Sequence, residues 1–357
     1  MMMISSGSML LEGDYVTPEG RVEHGQIRVV DGKIEAVGPV LGKPDVSYGK
    51  DLLIYPGFID IHVHAREYPR PPESRPDDVA VWRRQLMKED FTNMCHTAVA
   101  GGVVAFAAMP NDPAPYAPTT RELYDAKKEL AARECYIDHV VYALLEPDSV
   151  PFEGTGVPYK LYTHDVSIGQ MRRVFQNFAG SGCLIALHCE NRKIISDSPT
   201  RPESAEIRDV SAVLDLSASY SVPVHIAHVS TGKSLELIVQ AKKSGVQVTC
   251  ETTPTYLLLS EERVKNLPNS GIITMKPPLR SEEDRLMLLN GLLLGKIDCL
   301  ATDHAPHTLE DKNVGAFGIP LEDHYTNVVG WLLQNRVGRD RIVKMCCEFP
   351  GKFMERY

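Results

Sequence analysis

Apolar positions along the chain fall into two rhythms. Residues 9–55 alternate short apolar runs with turn signals: MLLEGDYVT, then Pro18-Glu19-Gly20, then QIRVVDGKIEAVG with Asp31-Gly32 at its centre. Alternation of period two broken by Asp-Gly is a hairpin signal, so this part predicts a small β-meander. From Ile54 onward a short apolar run is followed by a helical stretch, repeatedly. Strand-like runs fall at 58–64, 103–109, 137–145, 159–162, 184–188, 224–229, 246–252 and 298–302, and helical periodicity marks 79–100, 119–133, 234–245 and 282–295.

Eight parallel-type strands with helical crossovers predict an α/β fold, a (β/α)8 TIM-type barrel, whose usual extent is about 250 residues. The expected organisation is an accessory β-subdomain over 1–54, with residues 1–8 a disordered extension, the barrel over 55–350 and a short C-terminal tail over 351–357. The Pro-rich stretches at 68–76 and 115–120 read as loops of the catalytic face rather than linkers.

Composition narrows the function classes. A chain of 357 residues with 43% hydrophobic and 24% charged residues has the make-up of a globular protein with a large core. Its net charge of −9 argues against nucleic acid or an anionic membrane surface as the partner. No charged segment leads into an apolar one at the N-terminus, and no apolar run reaches the roughly 18 residues of a membrane span, so a soluble, cytoplasmic protein is expected. Eight cysteines are scattered without a C-x-x-C pair, which predicts reduced, buried thiols.

Candidate chemistry begins in LLIYPGFIDIHVHAR, residues 52–66, where an apolar run ends in two histidines one residue apart. On a strand His62 and His64 share a face and can aim both imidazoles at one cation, while Val63 points away. Alone, H-x-H is weak, since two histidines on one face are more often structural. Its company decides the reading. Lys160 lies in PYKLYTHD, His188 ends CLIALHCEN, His228 ends PVHIAHVST and Asp303 follows the last strand in DCLATDHAPH. All stand at C-terminal strand ends, the face where such barrels carry catalysis. Singly they read as core histidines, a snorkelling lysine and a helix cap; jointly they predict two zinc-like ions about 3.5–4 Å apart that share and activate a hydroxide. An ammonium would repel those cations, whereas a CO2-derived carbamate on Lys160 would be anionic and could bridge them.

The run PGFIDIHVHAR, Met109-Pro110-Asn111, YKLY, HCEN, HIAHVST and TDHAPH together resemble the cyclic amidohydrolases of the amidohydrolase superfamily, and most closely the dihydroorotase family, over roughly residues 25–350. The resemblance implies that His62, His64, Lys160 and Asp303 hold a first Zn2+ ion and that carboxylated Lys160, His188 and His228 hold a second. It makes Asp303 the general acid/base, in agreement with a carboxylate placed to touch both metal and water. The implied reaction is the reversible hydrolysis of L-dihydroorotate to N-carbamoyl-L-aspartate, the third step of pyrimidine synthesis, with a small-molecule substrate and no nucleic acid or membrane partner. A homodimer and association with aspartate carbamoyltransferase are further expectations of the family.

Metal ligands are common to hydantoinases and allantoinases, so the substrate must be read elsewhere. Dihydroorotate carries a carboxylate, which calls for fixed cationic and amide donors. In the family, the residues matching Arg66, Asn111 and His307 clamp it. The plainer readings are a surface salt bridge from Arg66 to Glu67 or Glu73 and a turn-forming role for Asn111; His304 reads as a supporting residue. Alternatives of other kinds are a hydantoinase- or allantoinase-type enzyme, for which Arg66 has no use, and a non-catalytic scaffold for a carbamoyltransferase, which typically loses metal ligands. The chain departs from the family at Ala65-Arg66-Glu67-Tyr68-Pro69, at Thr255-Tyr256 where a His-His is usual, and at Lys276 where many members have Asn. It also ends at FPGKFMERY without the glycine-rich strands that close the accessory domain in many relatives, so a small β-part is expected.

Overall fold

The computed structural model describes residues 7–154, 156–268 and 270–357. Of the extension expected at 1–8, residues 1–6 lie outside the described residues, and Ser8 already begins the first strand. Strands β1 (Ser8–Val16), β2 (Val22–Val30) and β3 (Lys33–Gly38) form an antiparallel meander, with β4 (Val46–Ser47) and β5 (Leu53–Ile54) added parallel to β1. The β2–β3 turn has φ of 49° at Asp31 and 75° at Gly32, the left-handed pair that a two-residue hairpin demands.

The main body is built on β6 (Phe58–Val63), β7 (Val103–Ala108), β8 (Asp138–Val141), β9 (Ala143–Leu144), β10 (Tyr159–Tyr162), β11 (Ile185–His188), β12 (Val224–Ile226), β13 (Val248–Thr252) and β14 (Cys299–Leu300). All neighbours are parallel, in the orders β6-β7-β8 and β9-β10-β11-β12-β13-β14. At Tyr142 one strand changes partners: its N–H bonds Ala108 O, and the next N–H bonds Pro158 O. Thus β8 and β9 are halves of one strand. A parallel bridge from Val63 to His304 and a 2.8 Å bond from His64 N to His304 O join the last strand to the first, closing an eight-stranded barrel.

Alternation along each strand sorts the side chains. Leu161, Ile185, Leu187, Val224 and Ile226 face outward and pack with helix residues such as Val174, Phe175, Val213 and Leu288. Ala107, Tyr142, Ala186, Cys299 and Ala301 fill the interior with Ile61. A register shift between Asp60 and Val63 breaks the alternation in β6, so Ile61 packs inside while Val63 joins the outer core. Asp60 accepts from His62 N at 2.9 Å and Thr302 N at 2.8 Å, tying this irregular stretch to the end of β14.

Two expectations are corrected. The run 79–100 is two helices, Pro76–Leu86 and Phe91–Ala100, because Asp90 caps the second through Asn93 N and Glu89 is buried against His304. The residues expected as a tail belong to helix Phe349–Arg356: Phe349 and Phe353, one turn apart, pack with Ile59 and Ile61 and close the floor of the barrel. All eight cysteines are free and six are buried. Among the described residues no helix is long and apolar enough to cross a membrane.

Candidate active site

The C-terminal strand ends surround a cavity of about 480 Å3, and its residues form two groups. In the deeper group, Asp303 Oδ1 lies 2.9 Å from His64 Nε2 and 3.4 Å from His62 Nε2. Ligand atoms of these three residues all lie within 4.8 Å of one another, a candidate metal site. Next to them, the His228 ring sits 4.6 Å from His188 and 5.2 Å from His62, centroid to centroid. Period two alone explains His188, which follows inward Ala186, and Asp303, which follows inward Cys299 and Ala301. It does not explain His228, whose outward-facing predecessors are Val224 and Ile226. A φ of 37° at His228 turns the ring inward, and Asp303 has a φ of 53°. Non-glycine residues in this region are strained and persist where their surroundings over-determine them.

Lys160 Nζ is buried and has no hydrogen-bond partner among the described residues, nor has His228 Nδ1. Burial lowers the Lys160 ammonium to about 8 and holds His188 and His228 well below the ordinary imidazole value. His64 is lowered to about 4 by burial, against the pull of Asp303. Burial also works to raise the Asp303 carboxyl, yet neighbouring His62 and hydrogen-bonded His64 outweigh it and keep it below the carboxylate range. Neutral imidazoles and an ionised carboxylate are a donor set that suits divalent cations, and the buried Lys160 nitrogen is left without a partner among the described residues.

Behind these residues stand carboxylates that the sequence reading missed. Glu251 on β13 accepts from His62 Nδ1, from His225 Nε2 at 3.0 Å and from His228 N at 3.2 Å. Glu190 accepts from His188 Nε2 at 2.7 Å and is held by Arg201 Nε at 3.0 Å. The available signal was a lone glutamate at an inward position of the apolar run VTCET, and an acid two residues after His188. Such partners fix ring orientation and tautomer.

The shallower group is carried by loops. Arg66 donates through Nη2 to His307 Nε2 at 3.0 Å and through Nε to Pro306 O at 3.1 Å. Its suggested surface partners are engaged elsewhere: Glu73 by Arg70 and Glu67 by Phe91 N. Burial and the Arg66 charge lower His307 to about 4, leaving it a neutral partner. Asn111 faces the same cavity and accepts from Tyr162 OH at 2.7 Å. His304 points away, donating to Glu89 and accepting from Leu321 N and Glu322 N. Of the departures from the family pattern, Tyr256 OH bonds Pro277 O at 2.6 Å, and the exposed Lys276 Nζ rests 4.3 Å above the Phe317 ring. The structure thus brings His62, His64, His188, His228, Asp303, Arg66, Asn111 and His307 around one space, while Lys160, two residues before the cavity-lining Tyr162, is fully buried outside that lining.

The profile of the Amidohydrolase family matches residues 53–323. Similar proteins include dihydroorotases from Pyrococcus furiosus, 30% identical over 315 residues (87% of this chain, 69% of that protein), and Aquifex aeolicus, 32% over 340 residues (88% and 73%). Among solved structures, an L-hydantoinase from Arthrobacter aurescens superposes with a TM-score of 0.80 at 23% identity, covering 97% of this chain and 82% of that one, and a D-hydantoinase from Thermus sp. with 0.80 at 22% (97% and 81%). The structural likeness shows the shared barrel fold.

Proposed function

The chain belongs to the amidohydrolase family, and from that premise we propose that it is a dihydroorotase, interconverting L-dihydroorotate and N-carbamoyl-L-aspartate. One observation carries the substrate assignment: the Arg66–His307 pair and Asn111 face the same cavity as the His62, His64 and Asp303 cluster. A guanidinium beside a neutral histidine and an amide suits the ring carboxylate, and a neutral hydantoin ring has no use for it.

His62, His64, Lys160 and Asp303 would hold one divalent cation, and Lys160, His188 and His228 a second, with Lys160 as a CO2-derived carbamate. Bound there, zinc or a similar ion would polarise the scissile carbonyl and lower the pKa of the attacking water. Asp303 takes a proton from that water as oxygen bonds the amide carbon, then returns it to the nitrogen as the C–N bond breaks, yielding the ureido group and a carboxylic acid that releases its remaining proton to solvent as the carboxylate. Arg66, Asn111 and His307 hold the other carboxylate still throughout, and Glu251 and Glu190 keep the imidazoles aimed. The reading extends to a cytoplasmic homodimer and to association with aspartate carbamoyltransferase. Its support is the family resemblance and the exposed Ile34, Val37 and Val40 near the sheet edge, which a partner would cover.

The test is turnover of L-dihydroorotate by protein purified with zinc and bicarbonate, beside hydantoin and allantoin. Turnover of dihydroorotate alone is expected. Activity only on the neutral rings would overturn the substrate, and no activity with two metals bound would point to a scaffold.

A further inference from the structure

Tyr162 stands between the two groups of the cavity. It ends β10 two residues after Lys160, on the same inward face, and Lys160 Nζ lies 5.5 Å from its ring centroid. Its hydroxyl donates to Asn111 Oδ1 at 2.7 Å. A phenol has one hydrogen to give, and a carboxamide is planar with its oxygen and nitrogen on opposite sides. Fixing Oδ1 therefore fixes Nδ2. A free Asn111 would rotate between presenting two donors and presenting an acceptor to an incoming anion; the second orientation repels a carboxylate. The segment is pinned from its other side as well, because the buried Lys127 ammonium lies 2.6 Å from both oxygens of Asp112.

We propose that Tyr162 is a positioning residue for substrate selection: by occupying Asn111 Oδ1 it presents the Asn111 amide hydrogens to the substrate carboxylate. This rests on the dihydroorotase reading. The pocket is thereby set for rings or open chains bearing a carboxylate.

The experiment is a double-mutant cycle on the metal-loaded enzyme with Tyr162→Phe, Asn111→Ala and both together, following kcat, KM, metal content and Tm. Phenylalanine keeps the ring beside Lys160 and removes the hydroxyl alone. Tyr162→Phe is expected to raise KM for dihydroorotate about tenfold, with kcat changed less than threefold and with wild-type metal content and Tm. The double variant should cost no more than Asn111→Ala alone, since the hydroxyl acts through that amide. An unchanged KM in Tyr162→Phe, additive losses, or a fall in metal content would overturn the inference. If Asn111→Ala raises KM while Tyr162→Phe does not, only the positioning role fails. If Asn111→Ala is silent or the wild type ignores dihydroorotate, the substrate reading fails and takes this inference with it.

Discussion

The two halves of the cavity are built differently. His62, Lys160 and His228 are at most 2% exposed, stand on or just past strand ends, and, apart from the lysine, are fixed by buried acids or strained backbone. Arg66, Asn111 and His307 ride on loops, and although the His307 side chain, 11% exposed, is as covered as His64 at 13%, their contacts are single hydrogen bonds to each other, to Tyr162 or to a backbone carbonyl. A barrel can replace the second kind of group without disturbing the first. The deep half should accordingly serve a reaction and the shallow half a substrate, which fits relatives of this fold that bear different names and share the barrel.

That division can be broken by substitution. The largest effect is expected from Lys160→Ala: loss of the second ion by elemental analysis and a fall in kcat of about a thousandfold or more, given the acceleration a metal-activated water supplies. A variant that keeps both ions and its rate would remove Lys160 from the bridging role. Arg66→Met should do the opposite, leaving metal content unchanged and raising KM for dihydroorotate up to about a hundredfold, the scale of one or two charge-assisted hydrogen bonds; unchanged kinetics would sink the clamp. Glu251→Gln tests whether support from below belongs to the deep half. It should weaken metal affinity about tenfold or more, read by competition with a chelator, and leave KM of the reloaded enzyme nearly unchanged. Lys276→Asn, which restores the residue common in the family, is expected to move KM threefold or less, because Lys276 is an exposed residue whose ammonium rests over the Phe317 ring. A larger change would mean that the shallow half extends further round the rim than Arg66, Asn111 and His307.

Legibility in the sequence followed the same line. The eight strand-like runs coincide with the barrel strands because each buries an apolar outer face, a local property that the pattern reports even where β6 and His228 break the alternation. Asp31-Gly32 was readable for a similar reason: the dipeptide tolerates the left-handed pair that its turn requires. The break at Glu89-Asp90 was not, since apolar periodicity runs across it and masks the Asp90 cap, and the contact of Glu89 with His304 lies far off in the chain. Nor was the closing role of Phe349 and Phe353, which needs the barrel floor to be present.

By itself, the sequence determined where the strands lie, which residues stand at their ends and what chemistry those residue types can perform, because side-chain direction along a strand depends only on neighbouring backbone. Tertiary structure alone decided which distant groups meet: Glu251 with His62 across 189 positions, Asp303 with His64 across 239, and the inward turn of His228 at a backbone angle that periodicity does not encode. Those pairings arise when the sheet closes on itself, and closure is a property of all eight strands together rather than of any one segment.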